Sequence, residues 1–107
     1  MLIQFSIFPT GSTGGDGGGD SASGEVSKVI DIIDNSGLTY KTSSMSTVIE
    51  GEWDQIIPVI NKCRLKLKEN SSRVYMVMTM DDREGATGRI DGKIVSIEKK
   101  LNKSIQK

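Results

Sequence analysis

Apolar and polar positions alternate in some parts of the chain and follow a helical spacing in others. Residues 2–8 are rich in strand-forming types, which predicts a first strand that stops at Pro9. A glycine-rich loop is predicted over residues 10–20, and Ser21 or Ser23 is expected to cap the helix that follows it. That helix is predicted from apolar positions at i, i+3, i+4 and i+7. These positions are Val26, Val29, Ile30 and Ile33.

The remaining pattern predicts three strands and two helices. Residues 38–42 and 46–52 form short apolar runs on either side of a serine turn, which predicts two neighbouring strands. A helix is predicted over residues 54–69, and strict alternation over residues 73–82 predicts the last strand. A final apolar stripe with helical spacing predicts a closing helix. Its members are Ile90, Ile94, Ile97 and Leu101.

The order of these elements, βαββαβ followed by a helix, predicts one α+β domain over residues 1–107. Two crossover helices on one face of a four-stranded sheet give a ferredoxin-like sandwich, here with an added C-terminal helix. Alternation along the third strand places Thr47 and Ile49 on the face that meets the helices and Glu50 on the other face. In a monomer Glu50 would be solvated, whereas two sheets packed face to face would bring it into an interface.

Charge and length limit the classes of partner. Fourteen Lys and Arg residues balance fourteen Asp and Glu residues, so the chain has no net charge with which to hold nucleic acid or an anionic membrane. No segment approaches the roughly 20 apolar residues of a membrane span. The amino terminus lacks the basic region of a signal peptide, and a single cysteine suits the cytoplasm.

Several residue types limit the chemistry. The chain has no histidine, which removes the Ser-His-Asp and Cys-His nucleophiles and most zinc sites. Cys63 lies on the apolar stripe of the second helix and is predicted to be buried. The methionines of the last strand alternate, which predicts packing in the core or a subunit interface rather than a metal site. They are Met76, Met78 and Met80.

Three further features have two interpretations each. The glycine-rich loop lacks the Gly-Lys-Ser/Thr ending of a phosphate loop, so we favour a mobile loop over one that covers a ligand. Trp53 either covers the start of the second helix or forms the wall of a pocket for a ring. Asp81, Asp82 and Arg83 are either a charged strand end or a place where the arginine holds a carboxylate or closes a subunit contact.

Residues 44–54, SMSTVIEGEWD, resemble the Met-Gly-Thr-x-x-Glu-Gly segment of the small thiamine-binding protein family, which is related to the YkoF-like proteins. Three other motifs match in the same order. They are the Ser-Ile-x-Pro-x-Gly opening at residues 6–11, the Ser-x-Ser pair Ser21 and Ser23, and Arg73-Val74 leading to residues 81–83. The resemblance spans nearly the whole chain.

This resemblance implies a ferredoxin-like fold, a homotetramer built as a dimer of dimers, and binding of thiamine or its hydroxymethylpyrimidine part. It implies no catalysis, no catalytic residue, no metal site and no cofactor other than thiamine as a possible ligand. Glu50 would be the main polar contact to the aminopyrimidine. The other implied site residues are Met45, Ser46, Thr47, Ser21, Ser23, Trp53 and Arg83.

Two departures from the family pattern bear on ligand choice. Ser46 stands where the family has glycine, and the loop at residues 14–19 is longer than usual. One alternative is a structural or regulatory assembly module, with no small-molecule ligand, whose sheet face serves only subunit packing. Another is an RNA-binding sheet, which needs aromatic side chains on its central strands and a basic surface, and this sequence supplies little of either.

Overall fold

A computed structural model describes the backbone of residues 1–12, 19–85 and 87–106 and the side chains of residues 1–10, 24–85 and 87–106. Its order confirms the predicted α+β fold, with three helices and a four-stranded antiparallel sheet. Most of the predicted glycine-rich loop, residues 13–18, lies outside the described residues. The elements are β1 (Leu2–Ser12), α1 (Gly19–Asn35), β2 (Thr39–Thr42), β3 (Thr47–Glu50), α2 (Trp53–Lys68), β4 (Ser71–Asp81) and α3 (Arg89–Leu101).

The sheet has the strand order β2-β3-β1-β4, and every neighbouring pair is antiparallel. β1 pairs with β3 from Leu2 to Phe5 and with β4 along nearly all of its length. In this register Leu2 lies between Glu50 on β3 and Asp81 on β4. Because side chains alternate across a sheet, these three residues share one face.

The core lies between α1, α2 and the other face of the sheet. α1 contributes Val29 and Ile33, and the predicted stripe of α2 is confirmed by the burial of Cys63 and its apolar neighbours. Burial of these side chains is the main favourable term for a domain of this size. The buried apolar residues are Ile3, Phe5, Ile7, Val29, Ile33, Ile49, Ile56, Val59, Ile60, Cys63 and Leu67.

The prediction that β1 ends at Pro9 is wrong, because the strand continues to Ser12. Beyond Phe5, β4 is the one strand that pairs with β1 among the described residues, and a residue without an N–H is tolerated where one edge of a strand is unpaired. The predicted cap is also wrong. α1 begins at Gly19, so Ser21 and Ser23 lie inside the helix, and their side chains are outside the described set.

The methionine stripe divides into two parts. Met76 packs against the core, as predicted, whereas Met78 and Met80 are 40% and 51% exposed. β4 is an edge strand, so the side chains at this end of it have no further strand beside them. Among the described elements, no helix is long and apolar enough to cross a membrane.

α3 lies on the sheet face opposite α1 and α2, which we call the open face. It begins after Gly88, whose φ of 63° is a left-handed conformation that favours glycine. None of its side chains is fully buried, although Ile90 and Ile94 of the predicted stripe are half-buried. α3 therefore makes only a small contact with the sheet, and a cavity lies between the two.

Candidate functional site

The first cavity lies between α1, the middle of β1 and the β2–β3 turn, and we call it the α1 cavity. It has a volume of about 260 Å³. Its walls are residues 5–8 of β1, residues 42–47 of the turn and three apolar side chains of α1, namely Val26, Val29 and Ile30. A small pocket with mostly apolar walls and a few polar groups is the usual form of a small-molecule site.

Hydrogen bonds within the β2–β3 turn fix its polar groups beside this cavity. The N–H of Ser43 donates to the carbonyl of Ser46 at 2.8 Å, and the Ser43 hydroxyl donates to the same oxygen at 3.1 Å. The hydroxyls of Thr42 and Thr47 share a hydrogen bond of 2.6 Å. Thr47 is only 6% exposed, whereas Met45 at the tip of the turn is 85% exposed. The turn thus presents hydroxyls inside the cavity and a thioether at its rim.

The second cavity lies between α3 and the open face, and we call it the α3 cleft. It has a volume of about 490 Å³. Leu2, Gln4, Val48 and Thr79 form its floor, and α3 forms its roof. Its charged lining residues are Lys41, Asp81, Arg89 and Lys93.

Glu50 closes one end of α3 by capping the helix. Its carboxylate accepts hydrogen bonds from the backbone N–H of Arg89 at 2.8 and 3.0 Å and from that of Ile90 at 3.4 Å. The first N–H groups of a helix have no partner inside the helix, and a negative charge there is favoured by the helix dipole. Gly88 at the cap position has no side chain to accept these bonds. A glutamate from β3 supplies the cap instead.

Asp81 organises the cations of the α3 cleft. Its Oδ2 atom accepts hydrogen bonds from Arg89 Nη2 at 2.5 Å and from Lys93 Nζ at 3.3 Å. The hydrogen bond from Arg89, followed by that from Lys93, lowers the pKa of Asp81 below its ordinary value. The same contact with Asp81 raises the pKa of Arg89. Both ends of this ion pair therefore remain charged over the whole physiological range.

The chain is similar to one known protein family along nearly its whole length. A sequence model of the family described as "Thiamine-binding protein" matches residues 3–98. The chain belongs to the thiamine-binding protein family. Two relatives support this assignment. A UPF0045 protein of Mycobacterium bovis is 31% identical over 102 residues, which are 94% of each chain, and a UPF0045 protein of Methanocaldococcus jannaschii is 27% identical over 91% of each chain.

Solved structures share the fold of this thiamine-binding family member. A hypothetical protein of Methanocaldococcus jannaschii matches with a TM-score of 0.75 and 27% identity, over 90% of this chain and 93% of the other. A Thermotoga maritima structure, described as a candidate thiamine biosynthesis or salvage protein, matches with a TM-score of 0.72 and 18% identity, over 90% and 96% of the two chains. At 18% identity the second likeness shows the fold alone.

The residues that the family resemblance implied for one site lie in several places. Met45, Ser46 and Thr47 meet at the α1 cavity. Glu50 lies across the sheet, and its carboxylate is engaged by the first turn of α3. Within one subunit Glu50 and Thr47 do not share a cavity, because these side chains leave opposite faces of β3, and a single ligand site that includes both stays a prediction.

The other implied residues are also separated from the α1 cavity. Trp53 is half-exposed at the start of α2 and lines a small cavity with Met76 and Met78. Arg83 is exposed in the segment between β4 and α3. The partner of Asp81 is Arg89 rather than its near neighbour Arg83. The side chains of Ser21 and Ser23 lie outside the described residues.

Neither a nucleophilic thiol nor a metal cluster is found in the described part of the chain. Cys63 is fully buried, and burial raises the pKa of its thiol to about 11. A thiol with that pKa is protonated near neutral pH and does not act as a nucleophile. Within residues 1–10, 24–85 and 87–106, no group of three or more Cys, Asp or Glu side chains could hold a metal ion.

Two candidate site residues were not predicted from the sequence. Arg89 and Lys93 lie four positions apart on α3, and both reach Asp81. Their position on the final helix could have indicated them. In a helix that covers an open sheet face, the polar residues that border the apolar stripe lie next to the sheet. The apolar positions of that helix do not by themselves indicate these two residues.

Proposed function

We propose that this member of the family is a cytoplasmic, non-enzymatic protein that binds thiamine or a related pyrimidine such as hydroxymethylpyrimidine in the α1 cavity. The family match over residues 3–98 supports the ligand class. One observation carries the choice of cavity. Three consecutive residues of the family-like segment, Met45, Ser46 and Thr47, line it together.

The lining suits an aminopyrimidine ring. A hydroxyl group can donate and accept, so the hydrogen-bonded Thr42 and Thr47 pair can accept from the exocyclic amine or donate to a ring nitrogen. Val26 and Ile30 of α1 provide apolar surface for the ring faces. The cavity is close to the lower end of the roughly 300–1,000 Å³ typical of ligand sites, which favours the pyrimidine part as the enclosed portion.

The cationic thiazolium of thiamine would then lie toward the rim. Met45 is exposed there, and a polarizable thioether can contact a flat cationic ring. Among the described lining side chains the polar groups are hydroxyls of Ser and Thr. Recognition would therefore depend on neutral hydrogen bonds and on the shape of the ring.

Isothermal titration calorimetry with thiamine, hydroxymethylpyrimidine and the isolated thiazole alcohol tests this proposal. We expect binding of the first two compounds and none of the third. Thr47→Val keeps the shape of the side chain and removes its hydroxyl, so it should weaken thiamine binding about two- to tenfold, the effect of losing a neutral hydrogen bond worth about 0.5–1.5 kcal/mol. Thr39→Val, at an exposed position of β2, is the matched control. Absence of any thiamine binding would refute the proposal.

We further propose that the protein assembles as a homotetramer, a dimer of dimers. α3 covers one end of the open face, and the other end leaves Phe8, Tyr75 and Val77 exposed, with the two aromatic rings 5.5 Å apart. α3 itself exposes Ile97 and Leu101. Two separate apolar surfaces on one subunit support two kinds of subunit contact.

Native mass spectrometry tests this assembly and the alternative function together. We expect tetramers, with Val77→Lys reducing the assembly and Ser72→Lys, at an exposed position at the start of β4, leaving it intact. A tetramer that binds no thiamine would favour the alternative, a structural or regulatory assembly module. A monomer at all concentrations would refute the proposed assembly.

A further inference from the structure

The α3 cleft differs from the α1 cavity in position and in charge. We propose that it is a second ligand site, for a small organic anion that carries a carboxylate on a compact apolar body. Its volume of about 490 Å³ lies within the range of small-molecule sites. The proposal goes beyond thiamine, which is a cation, and rests on different residues.

The middle of the cleft is apolar. Leu2 and Val48 rise from the sheet, and Ile90 and Ile94 face them from α3. Gln4 and Thr79 add one amide and one hydroxyl to the floor. A flat or branched hydrocarbon of a few carbon atoms would replace water between the two apolar layers, which is the main favourable term for such a ligand.

The charged lining of the cleft is predominantly positive. Lys41, Arg89 and Lys93 line it, and Asp81 is the one carboxylate among its described lining residues. Two nearby carboxylates do not line the cleft. Glu50 is engaged by the first N–H groups of α3, and Asp91 is strongly exposed and 3.8 Å from Lys41. A bound anion would therefore meet more cations than carboxylates.

Among the cations of the cleft, Arg89 has a buried N–H donor that lacks a hydrogen-bond acceptor in the described part of the chain. Its side chain is only 11% exposed, and Asp81 is bound through Nη2. Its Nη1 atom is buried and has no hydrogen-bond partner among the described residues. A buried guanidinium N–H without an acceptor is costly. Water does not reach Nη1 in this arrangement, so a ligand carboxylate would contact it only after an outward shift of α3, which has no fully buried side chain. It would then supply a second acceptor while Asp81 keeps the first, since arginine presents its donors as a planar fork.

The probe for this proposal is 2-naphthoate, which combines a compact aromatic body with one carboxylate. Two matched compounds separate these features, because 2-naphthamide has the body without the charge and acetate has the charge without the body. By calorimetry and by amide chemical shifts of residues 89–94, we expect naphthoate to bind at least tenfold more tightly than either one. Equal affinity for naphthoate and naphthamide would overturn the proposal, since the bound site would then be an apolar patch.

Arg89→Gln removes the guanidinium and keeps the backbone N–H that donates hydrogen bonds to Glu50. It should weaken naphthoate binding at least tenfold, whereas Lys100→Gln, the same loss of charge on an exposed part of α3, should leave it within twofold. Circular dichroism checks that each variant is folded. If Arg89→Gln does not fold, Lys93→Gln decides the matter, with an expected loss of threefold or more. Wild-type affinity in the folded Arg89 or Lys93 variant would reject the assignment.

Discussion

Glu50 on β3 caps α3 by accepting the backbone N–H of Arg89 with both carboxylate oxygens, at 2.8 and 3.0 Å. The two residues are 39 positions apart in the sequence. This contact joins the sheet to a helix that has no fully buried side chain. It therefore helps to hold α3 over the open face, beside the α3 cleft that Arg89 lines.

Glu50→Ala should loosen α3 while the rest of the fold stays intact. Loss of a helix cap costs about 0.5–2 kcal/mol, which corresponds to a roughly two- to thirtyfold rise in local opening. Amide hydrogen exchange of residues 89–101 should accelerate by that factor, and exchange in β1 and α2 should change little. Glu69→Ala, at the end of α2, is the control for loss of a carboxylate. Unchanged exchange in α3 would show that the cap has no energetic role.

The ion pair beneath α3 predicts a dependence on acid pH. Hydrogen bonds from Arg89 and Lys93 lower the pKa of Asp81 in the folded state. The contribution of this carboxylate to stability is present above its unfolded pKa of about 3.9 and is lost as the pH falls through the lower folded value. In a carbonyl-carbon NMR titration, the midpoint of Asp81 should move upward in Arg89→Gln. The same midpoint in both proteins would show that Arg89 does not hold the carboxylate.

The buried thiol predicts a dependence at the alkaline end. Burial raises the pKa of Cys63 to about 11, against about 8.5 in an unfolded chain. The stabilisation is complete below the unfolded pKa and is lost as the pH rises through the folded one. The slope of stability against pH between about 9 and 11 should therefore be smaller in Cys63→Ala than in the wild type.

Thiol labelling gives an independent measurement of the same burial. At pH 8 in buffer, a disulfide reagent should label almost none of Cys63, and in guanidinium chloride it should label one thiol per chain. Rapid labelling of the folded protein would mean that α1 and α2 open readily over this position.

Local periodicity accounts for the parts of the fold that the sequence predicted. The stripes of α1 and α2 and the alternation of β3 reflect burial on one side of an element, so the order of elements and the face of Glu50 could be inferred. The cap on α3 could not, because its donors are backbone N–H groups, which carry no residue-type signal. The extension of β1 through Pro9 depended on which edge of the strand is unpaired, which is a property of the assembled sheet.

The same alternation that placed Glu50 separates its side chain from that of Thr47. Thr47 and Glu50 are three residues apart, and an odd separation in a strand puts two side chains on opposite faces. The family-like segment contains both residues, so the sequence interpretation treated them as one site. In the folded chain the two halves of the segment make different contacts. Its first half lines the α1 cavity, and its second half secures α3.

Glu50→Gln and Thr47→Val should therefore affect different properties. Glu50→Gln replaces a charged cap by a neutral one on the face opposite the α1 cavity, so the thiamine affinity should stay within twofold while α3 opens more often. Thr47→Val should lower the thiamine affinity and leave exchange in α3 unchanged. Calorimetry and hydrogen exchange on the same two samples provide the comparison. A tenfold loss of thiamine affinity in Glu50→Gln, with normal affinity in Thr47→Val, would place the vitamin on the open face and reverse the assignment of the two cavities.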